Sequence, residues 1–568
     1  MKFQAFSVHL LLIAGLALGG CSREQAPAGP DAAVSPEVLD LATRAGAPLF
    51  DGMGNHHHPI TTSDPDAQRY FDQGLIIDFA FNHAESARSF RAAQKLDPEC
   101  AMCYWGEALA LGPNINVTSN GKVVMSDDDR RTAYAAIQKA VALRDHERLT
   151  EAERDYIDAL ATRYNGDPST DREPLDLAYV EAMRKLHHKY PDDDDAASLF
   201  AESMMNTMPW DYWLDPENPK PLTEEVLAAL EGVLERNPEH PLAIHLYIHA
   251  VEASSQPERA EAPADTLRDL VPGAGHLVHM PAHIYWRVGR YADASQANVL
   301  AAAVDEAYIA ACNAQGFYPA AYYPHNIHFL WAASSMEGRS AVAIEAARKV
   351  AANVRLEMIE EFPSVEFFQT IPLLALVQFG RWDEVLAEPA PPENLEFSQA
   401  IWHYARATAY ARQGQLDDAR TEHAKLVPLR DETDVLFLDS IYYPASMLLT
   451  IADALVQGDI AMGEERYDEA IAHFRLAVET QDELPYMEPP FWYYPTRHTL
   501  GKALLTAGRP AEAEEVYRVD LEQYPRNGWA MYGLIQALEA QEKDASEIQE
   551  RFDRTWAQAD VTLTASRF

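Results

Sequence analysis

The chain has 568 residues, with 46 Lys and Arg against 88 Asp and Glu, a net charge of −42. That balance excludes docking on nucleic-acid backbones or anionic lipid, and it favours a solvated surface that concentrates cations. The length suits three or four ordinary domains or one solenoid, and four cysteines in so long a chain exclude a disulfide scaffold.

Residues 1–20 read as a signal peptide. Lys2 supplies the positive start, Phe6 to Leu18 is apolar apart from Ser7 and His9, and Gly19 and Gly20 precede Cys21. The stretch is too short to span a membrane as a mature helix. Leu18 to Cys21 resembles a bacterial lipobox, which implies lipidation at Cys21. Ser22, standing where an aspartate would retain a lipoprotein at the inner membrane, implies the outer membrane, facing the periplasm. Residues 21–60 are expected as a lipid-anchored flexible tether, rich in Ala, Pro and Ser up to residue 50. Its last part, Asn55-His-His-His-Pro59, reads as solvated tether; folding back over the body and holding a metal by itself are the alternatives. No later stretch approaches eighteen uninterrupted apolar residues, so the body is expected to be soluble, attached to the membrane only through its lipid.

From residue 61 to 545 the pattern is helical, and one phrase returns. It reads Gly289 to Ala294, Gly338 to Ala343, Gly380 to Val385, Gly414 to Ala419 and Gly508 to Ala513, with a degenerate copy from Glu465 to Ala470. The glycine ends one helix, where a left-handed residue costs least. The small residue five places on lets a second helix pack closely, and Ala470, Phe474 and Ala477 follow at helical spacing. These segments resemble tetratricopeptide repeats (TPR), the first unit carrying Gly74, Phe90, Ala93 and Pro98 at the family's eighth, twenty-fourth, twenty-seventh and thirty-second places. The resemblance implies an all-α, TPR-like α-solenoid of stacked antiparallel helix pairs, followed by a C-terminal tail over 546–568. Gly275 to Tyr285 and Tyr322 to Phe329 are not generic repeat sequence; with Met102 to Gly106 and Gly112 to Asn116 they resemble a group of bacterial TPR lipoproteins, which implies no particular activity. The Asp192 to Asp195 run reads as a solvated loop. Cys100 and Cys103 form either a local disulfide or two packed thiols; with no second pair and no histidine after Cys103, they make neither a four-cysteine zinc site nor a haem attachment.

Seven of the twenty histidines fall between His245 and His328, where even scatter would place about three. His245 and His249 recur thirty-four residues later as His279 and His283, the period of a tetratricopeptide repeat. Register set from Gly289 and Gly338 starts units at Pro241, Gly275 and Pro324. His276 and His325 then take place two, His245, His279 and His328 place five, and His249 and His283 place nine. In the family these places face the concave groove, whereas packing uses places such as eight, twenty and twenty-seven. Histidines three or four apart share a helix face, and neighbouring helices lie about 8–10 Å apart, so imidazoles from adjacent units can share an ion. Nitrogen donors suit a divalent transition metal such as Zn or Cu, with Glu252 placed to orient or complete the site. His498 takes place five of a later unit, too far along to join.

The expectation is therefore a periplasmic, outer-membrane-anchored repeat protein that binds a peptide, protein or small ligand, but not nucleic acid, in its concave groove. The groove carries a histidine-lined, metal-binding site. A metalloenzyme using the same cluster through an open coordination position and a pure assembly scaffold are the alternatives; no nucleophile elbow, phosphate loop or His-Glu-x-x-His helix decides for catalysis.

Overall fold

The computed structural model describes residues 36–118, 123–314, 316–430 and 433–568. Cys21 and residues 1–20, read as a signal peptide, lie outside the described residues. The architecture is an all-α solenoid of antiparallel helix pairs, such as Pro65–Phe79 with His83–Leu96, Glu396–Arg412 with Leu416–Leu429, and Ala445–Gly463 with Tyr467–Asp482. Among the described residues the only strands are two short two-stranded pairs.

The repeat phrase does what its chemistry dictates. Gly289, Gly338, Gly380, Gly414 and Gly508 all lie between the two helices of a pair with positive φ, the conformation that glycine adopts without strain. Glu465 takes the same left-handed conformation in the degenerate copy. Ala470, Phe474 and Ala477 are buried along Tyr467–Asp482. A Cβ at Gly458 would come within 2.3 Å of the Phe474 ring, so the small residue is what allows the two helices to touch. Burying such a ring stabilises the pair by roughly 1.5–3 kcal/mol. One described helix, Ala445–Gly463, is long and apolar enough to cross a membrane, and two thirds of it is buried inside the body.

Two ends differ from expectation. The tether predicted over 21–60 is structured from Pro36 onward. Helix Pro36–Ala45 buries Leu41 and Ala45, and the Tyr70 hydroxyl donates to Ala47 O at 2.6 Å. The predicted tail over 546–568 forms a helix, Ser546–Thr555, and then packs against the central turns. Trp556 sits against Gly338 and Phe568 against Gly380. Asp560 accepts from the Ser340 and Ala341 amides at 2.7 and 2.9 Å, capping helix Ser340–Asn353 and satisfying donors that a helix start leaves open. The last units thus return onto the turn edge of the middle ones. A repeat register does not encode that return, because its partners lie some two hundred residues away in sequence.

Candidate metal centre

The histidine cluster is built on four helices. His245 and His249 are one turn apart on helix Pro241–Val251. His276 and His279 lie on the short helix Gly275–His279, and His283 follows on Pro281–Arg287. His325 and His328 lie on Tyr323–Met336, entered through a π-helical turn at Tyr318–Tyr322. The structure brings six of the seven together. His245 and His279 are completely buried, and His249, His276 and His283 are nearly so. Ring centroids of neighbouring imidazoles lie 4.7–5.6 Å apart around the cluster.

His328 is the exception. It stacks on Trp331 at 5.2 Å and meets Phe367 and Phe368, lining a small aromatic cavity of about 30 Å³ with Phe397, Tyr443 and Phe491. Burial pushes its pKa down to about 3, and it shares no donor set with the six. His498 is also separate, buried beside Asp520 and Asn527.

The groove expected to display these residues is closed. Phe81 lies over His245 at 4.4 Å and over His276 at 5.5 Å. Trp210 lies edge-on to His249 at 4.9 Å. Glu488, from a loop more than two hundred residues away, reaches His283. Phe81 and Trp210 both adopt positive φ, 57° and 63°, which costs an L-residue roughly 1–2 kcal/mol. Phe81 stands between the two helices of the first unit, where later units carry glycine. The chain accepts that strain and places the ring over the imidazoles.

Hydrogen bonds settle where the protons sit. Asn298 Nδ2 donates to Ala294 O at 2.8 Å, which turns Oδ1 toward His279. His279 Nδ1 therefore donates to Asn298 Oδ1 at 2.6 Å, leaving Nε2 as a lone pair. His245 Nδ1 donates to Phe79 O at 2.6 Å. Glu252 is fully enclosed and accepts from two rings at once, His249 Nδ1 at 2.7 Å and His283 Nδ1 at 2.6 Å. Outward Nδ1 donors and inward Nε2 atoms are the pattern by which surrounding groups orient metal-binding histidines.

The inward atoms converge. His279 Nε2 lies 2.9 Å from His283 Nε2 and 3.1 Å from His325 Nε2. Lone pairs at such distances repel unless a proton or a metal ion sits between them. A Zn–N bond is about 2.0–2.1 Å, so two ligands of one ion stand roughly 3 Å apart. The electrostatics divide the rings. Burial, reinforced by the neighbouring histidines, holds His279, His276, His325 and His245 far below the ordinary imidazole range. Burial also lowers His283, but Glu252 and Glu488 outweigh it and raise its pKa to about 10. Burial raises Glu252 too, yet His283 and His249 hold it below the usual carboxylate range, while burial and the Glu252 charge push Glu488 up to about 8. Positive charge is favoured at His283, through Glu252 and Glu488, while His279, His276, His325 and His245 are held neutral.

A second set of histidines stands apart from the first. His56 and His58, from the segment read as tether, meet buried Asp195 together with His240. Asp195 belongs to the run read as a solvated loop; its burial at the start of helix Asp194–Met205 corrects that reading. Cys100 and Cys103 are joined by a disulfide, fully buried.

A tetratricopeptide-repeat family profile matches residues 498–558. Among solved structures, the chain aligns with a human IFIT1 dimer bound to m7Gppp-AAAA at 12% identity, with a TM-score of 0.33 over 86% of this chain and 96% of that one. It aligns with the APC/C hetero-tetramer Cut9-Hcn1 at 10% identity, with a TM-score of 0.30 over 87% and 90%. Yeast Tom70 aligns at 10% identity, with a TM-score of 0.26 over 86% and 90%. No curated protein matches the chain.

Proposed function

We propose, for a chain that belongs to the tetratricopeptide-repeat proteins, that its solenoid is a metal-binding scaffold held at the periplasmic face of the outer membrane. The ion is a divalent transition metal, Zn or Cu, bound by His279, His283 and His325. One observation carries this reading: His279 Nε2 lies about 3 Å from both His283 Nε2 and His325 Nε2 of the next unit, with the Nδ1 atoms of His279 and His283 held outward by Asn298 and Glu252. Imidazole donors select late first-row metals.

The location rests on residues 1–21, read as a lipoprotein signal with Cys21 as the lipidated residue, and is supported by the Cys100–Cys103 disulfide, which fits an oxidising compartment. The solenoid remains a binding surface for a peptide, protein or small ligand. A metal-dependent enzyme is the second reading, favoured by Glu488, a carboxyl group beside His283 whose raised pKa suits proton transfer near neutrality.

Elemental analysis of untagged protein tests the metal directly. At least one equivalent of Zn or Cu is expected, and replacing His279 and His283 by Ala should remove the equivalent that they hold. Metal-free protein whose melting temperature responds to neither Zn nor Cu would sink the reading. Fractionation tests the location: the wild type belongs in the outer-membrane fraction, and Cys21→Ala should release it or block its processing.

A further inference from the structure

The repeat that creates the first site creates it twice. His279 and His283 take places five and nine of one unit, and His325 is place two of the next. One unit earlier, His245 and His249 take the same places five and nine, and His276 is place two of the unit that follows. The second trio is therefore the first trio moved back by one repeat. Its donor atoms lie within 4.8 Å of one another, as do those of His279, His283 and His325.

The earlier trio is also the less satisfied of the two. His245 Nε2, His249 Nε2 and both ring nitrogens of His276 are buried with no hydrogen-bond partner. A neutral imidazole always presents one N–H and one lone pair, and leaving such groups unpaired in the interior is unfavourable. In the later trio the Nε2 atoms stand close enough for a proton to bridge them; here no pair does. An object that reaches three nitrogens at once must make longer-reaching, multiple bonds. A metal ion does so, and rings within 4.8 Å need to close in by less than about 1 Å to reach bonds of about 2.0–2.1 Å.

The two trios are one structure. Glu252 accepts from His249 of one and His283 of the other, so a single carboxylate orients a ligand in each. Their rings touch across the boundary, His249 to His283 at 5.3 Å and His276 to His279 at 5.6 Å. We infer that the cluster is a two-ion centre in which His245, His249 and His276 hold a second late first-row transition-metal ion beside the one held by His279, His283 and His325. The inference rests on the metal-binding reading above. It also accounts for His328: the histidine stands at place five of its unit, but place nine is Ala332, so no third trio forms.

Two like ions held this close repel, and the repulsion between dications is about four times that between monocations at equal spacing. A centre of this kind therefore takes its second dication together with a bridging anion such as hydroxide. Each ion then has three neutral protein ligands and leaves its fourth position to the bridge.

The test is stoichiometry on the full chain, titrated with Co²⁺ and with Zn²⁺ and measured by elemental analysis after desalting. The wild type should bind two equivalents, with His276→Ala and His325→Ala each retaining one, and the Co²⁺ paramagnetic signal per ion should fall as the second site fills. One equivalent in the wild type, kept in His276→Ala and lost in His325→Ala, would overturn the second ion and leave the first standing. No bound metal in any variant would overturn both. Far-UV circular dichroism accompanies each variant, and His276→Gln replaces the alanine form if that form does not fold; two equivalents retained in a folded His276→Gln protein would equally overturn the assignment.

Discussion

Two histidine clusters lie in this molecule, and they are wired in opposite ways. At the N-terminal strap, His56, His58 and His240 all face one carboxylate. His240 Nδ1 accepts from the Ala243 amide at 3.1 Å, so its proton sits on Nε2 and points at Asp195 Oδ1, 3.1 Å away. His58 Nδ1 donates to Asp195 Oδ2 at 2.6 Å. His56 Nε2 lies 3.0 Å from Oδ1, off the direction of a hydrogen bond. The carboxylate stands inside the ring of histidines, and protons fill the space. In the central cluster the acceptors Phe79 O, Glu252 and Asn298 stand outside, hold Nδ1, and turn the Nε2 atoms inward. His56, Asp195 and His240 have the spacing of a metal site, yet a metal on His240 Nε2 would require a ring with no proton at all. The position of the acceptor, more than the number of histidines, separates a salt-bridge knot from an ion site.

The largest effect expected from breaking this contrast is at Asp195. Removing a buried partner strands the charges it held, which costs about 3–5 kcal/mol. Asp195→Ala should lower stability by about 3 kcal/mol in denaturant unfolding and leave metal content unchanged. A loss of metal in that variant would show that the two clusters are not separate. The converse experiment is His279→Ala with His283→Ala. A bound ion stabilises the fold by about 2.7 kcal/mol when free metal is 100 times its dissociation constant. The double variant should lose the increment of the ion held by His279, His283 and His325, so that metal raises the melting temperature less than in the wild type, while proteolysis of the strap stays as in the wild type.

Next in size is Glu252→Gln. Glu252 orients one imidazole of each trio, and loss of such a partner typically costs 10–100-fold in metal affinity. Competition titration should show a drop within that range with binding capacity retained. An affinity unchanged within threefold would mean that the carboxylate serves packing alone.

The fold was legible because its signal is local. Gly289, Gly338, Gly414 and Gly508 mark turns through a backbone constraint that each residue carries by itself, and the thirty-four-residue recurrence of His245 and His249 turned composition into register. The site was legible only as far as that register runs. Six histidines converge because equivalent places in stacked units point the same way. His328 does not, because one trio needs places five, nine and the next place two, and Ala332 interrupts the set. The missed residues stand outside the histidine spacing. Phe79 ends the first helix of the first unit and Phe81 lies in its turn, Asn298 belongs to the second helix of the unit that starts at Gly275, and Glu488 to a loop more than two hundred residues beyond His283. The one available signal was Phe81 itself, a bulky residue where its repeat counterparts carry glycine. Nothing in the spacing of Asn55 to Pro59 announced Asp195 as its partner, since long-range ion pairing leaves no periodicity.

The smallest expected effect is a difference in how the two clusters answer pH. The groups facing His58 are Asp195, Asp193 and Asp72, with the Tyr156 and Phe71 rings against it. Burial lowers the His58 pKa, but hydrogen bonding and the charge of Asp195 outweigh it, so the folded value lies above 6.5. A raised folded pKa means that His58 contributes its full stabilisation below about pH 6.5 and loses it as pH rises through the folded value. Burial raises Asp195, but His240, His56 and His58 hold it well below 3.8, so its contribution is present above about 3.8 and fades only as pH falls far into acid. The strap should therefore be tightest in mild acid and loosen on the alkaline side. Metal binding should run the other way, because protons compete for imidazole lone pairs and acid drives the ion out. Limited proteolysis near residues 50–60 and bound metal, followed together from pH 5 to pH 9, should both rise with pH, and His58→Gln should flatten the first curve without moving the second. If His58→Gln shifted the metal curve, the strap would be a lid on the central site, and the separation drawn between acceptor-inside and acceptor-outside clusters would fail.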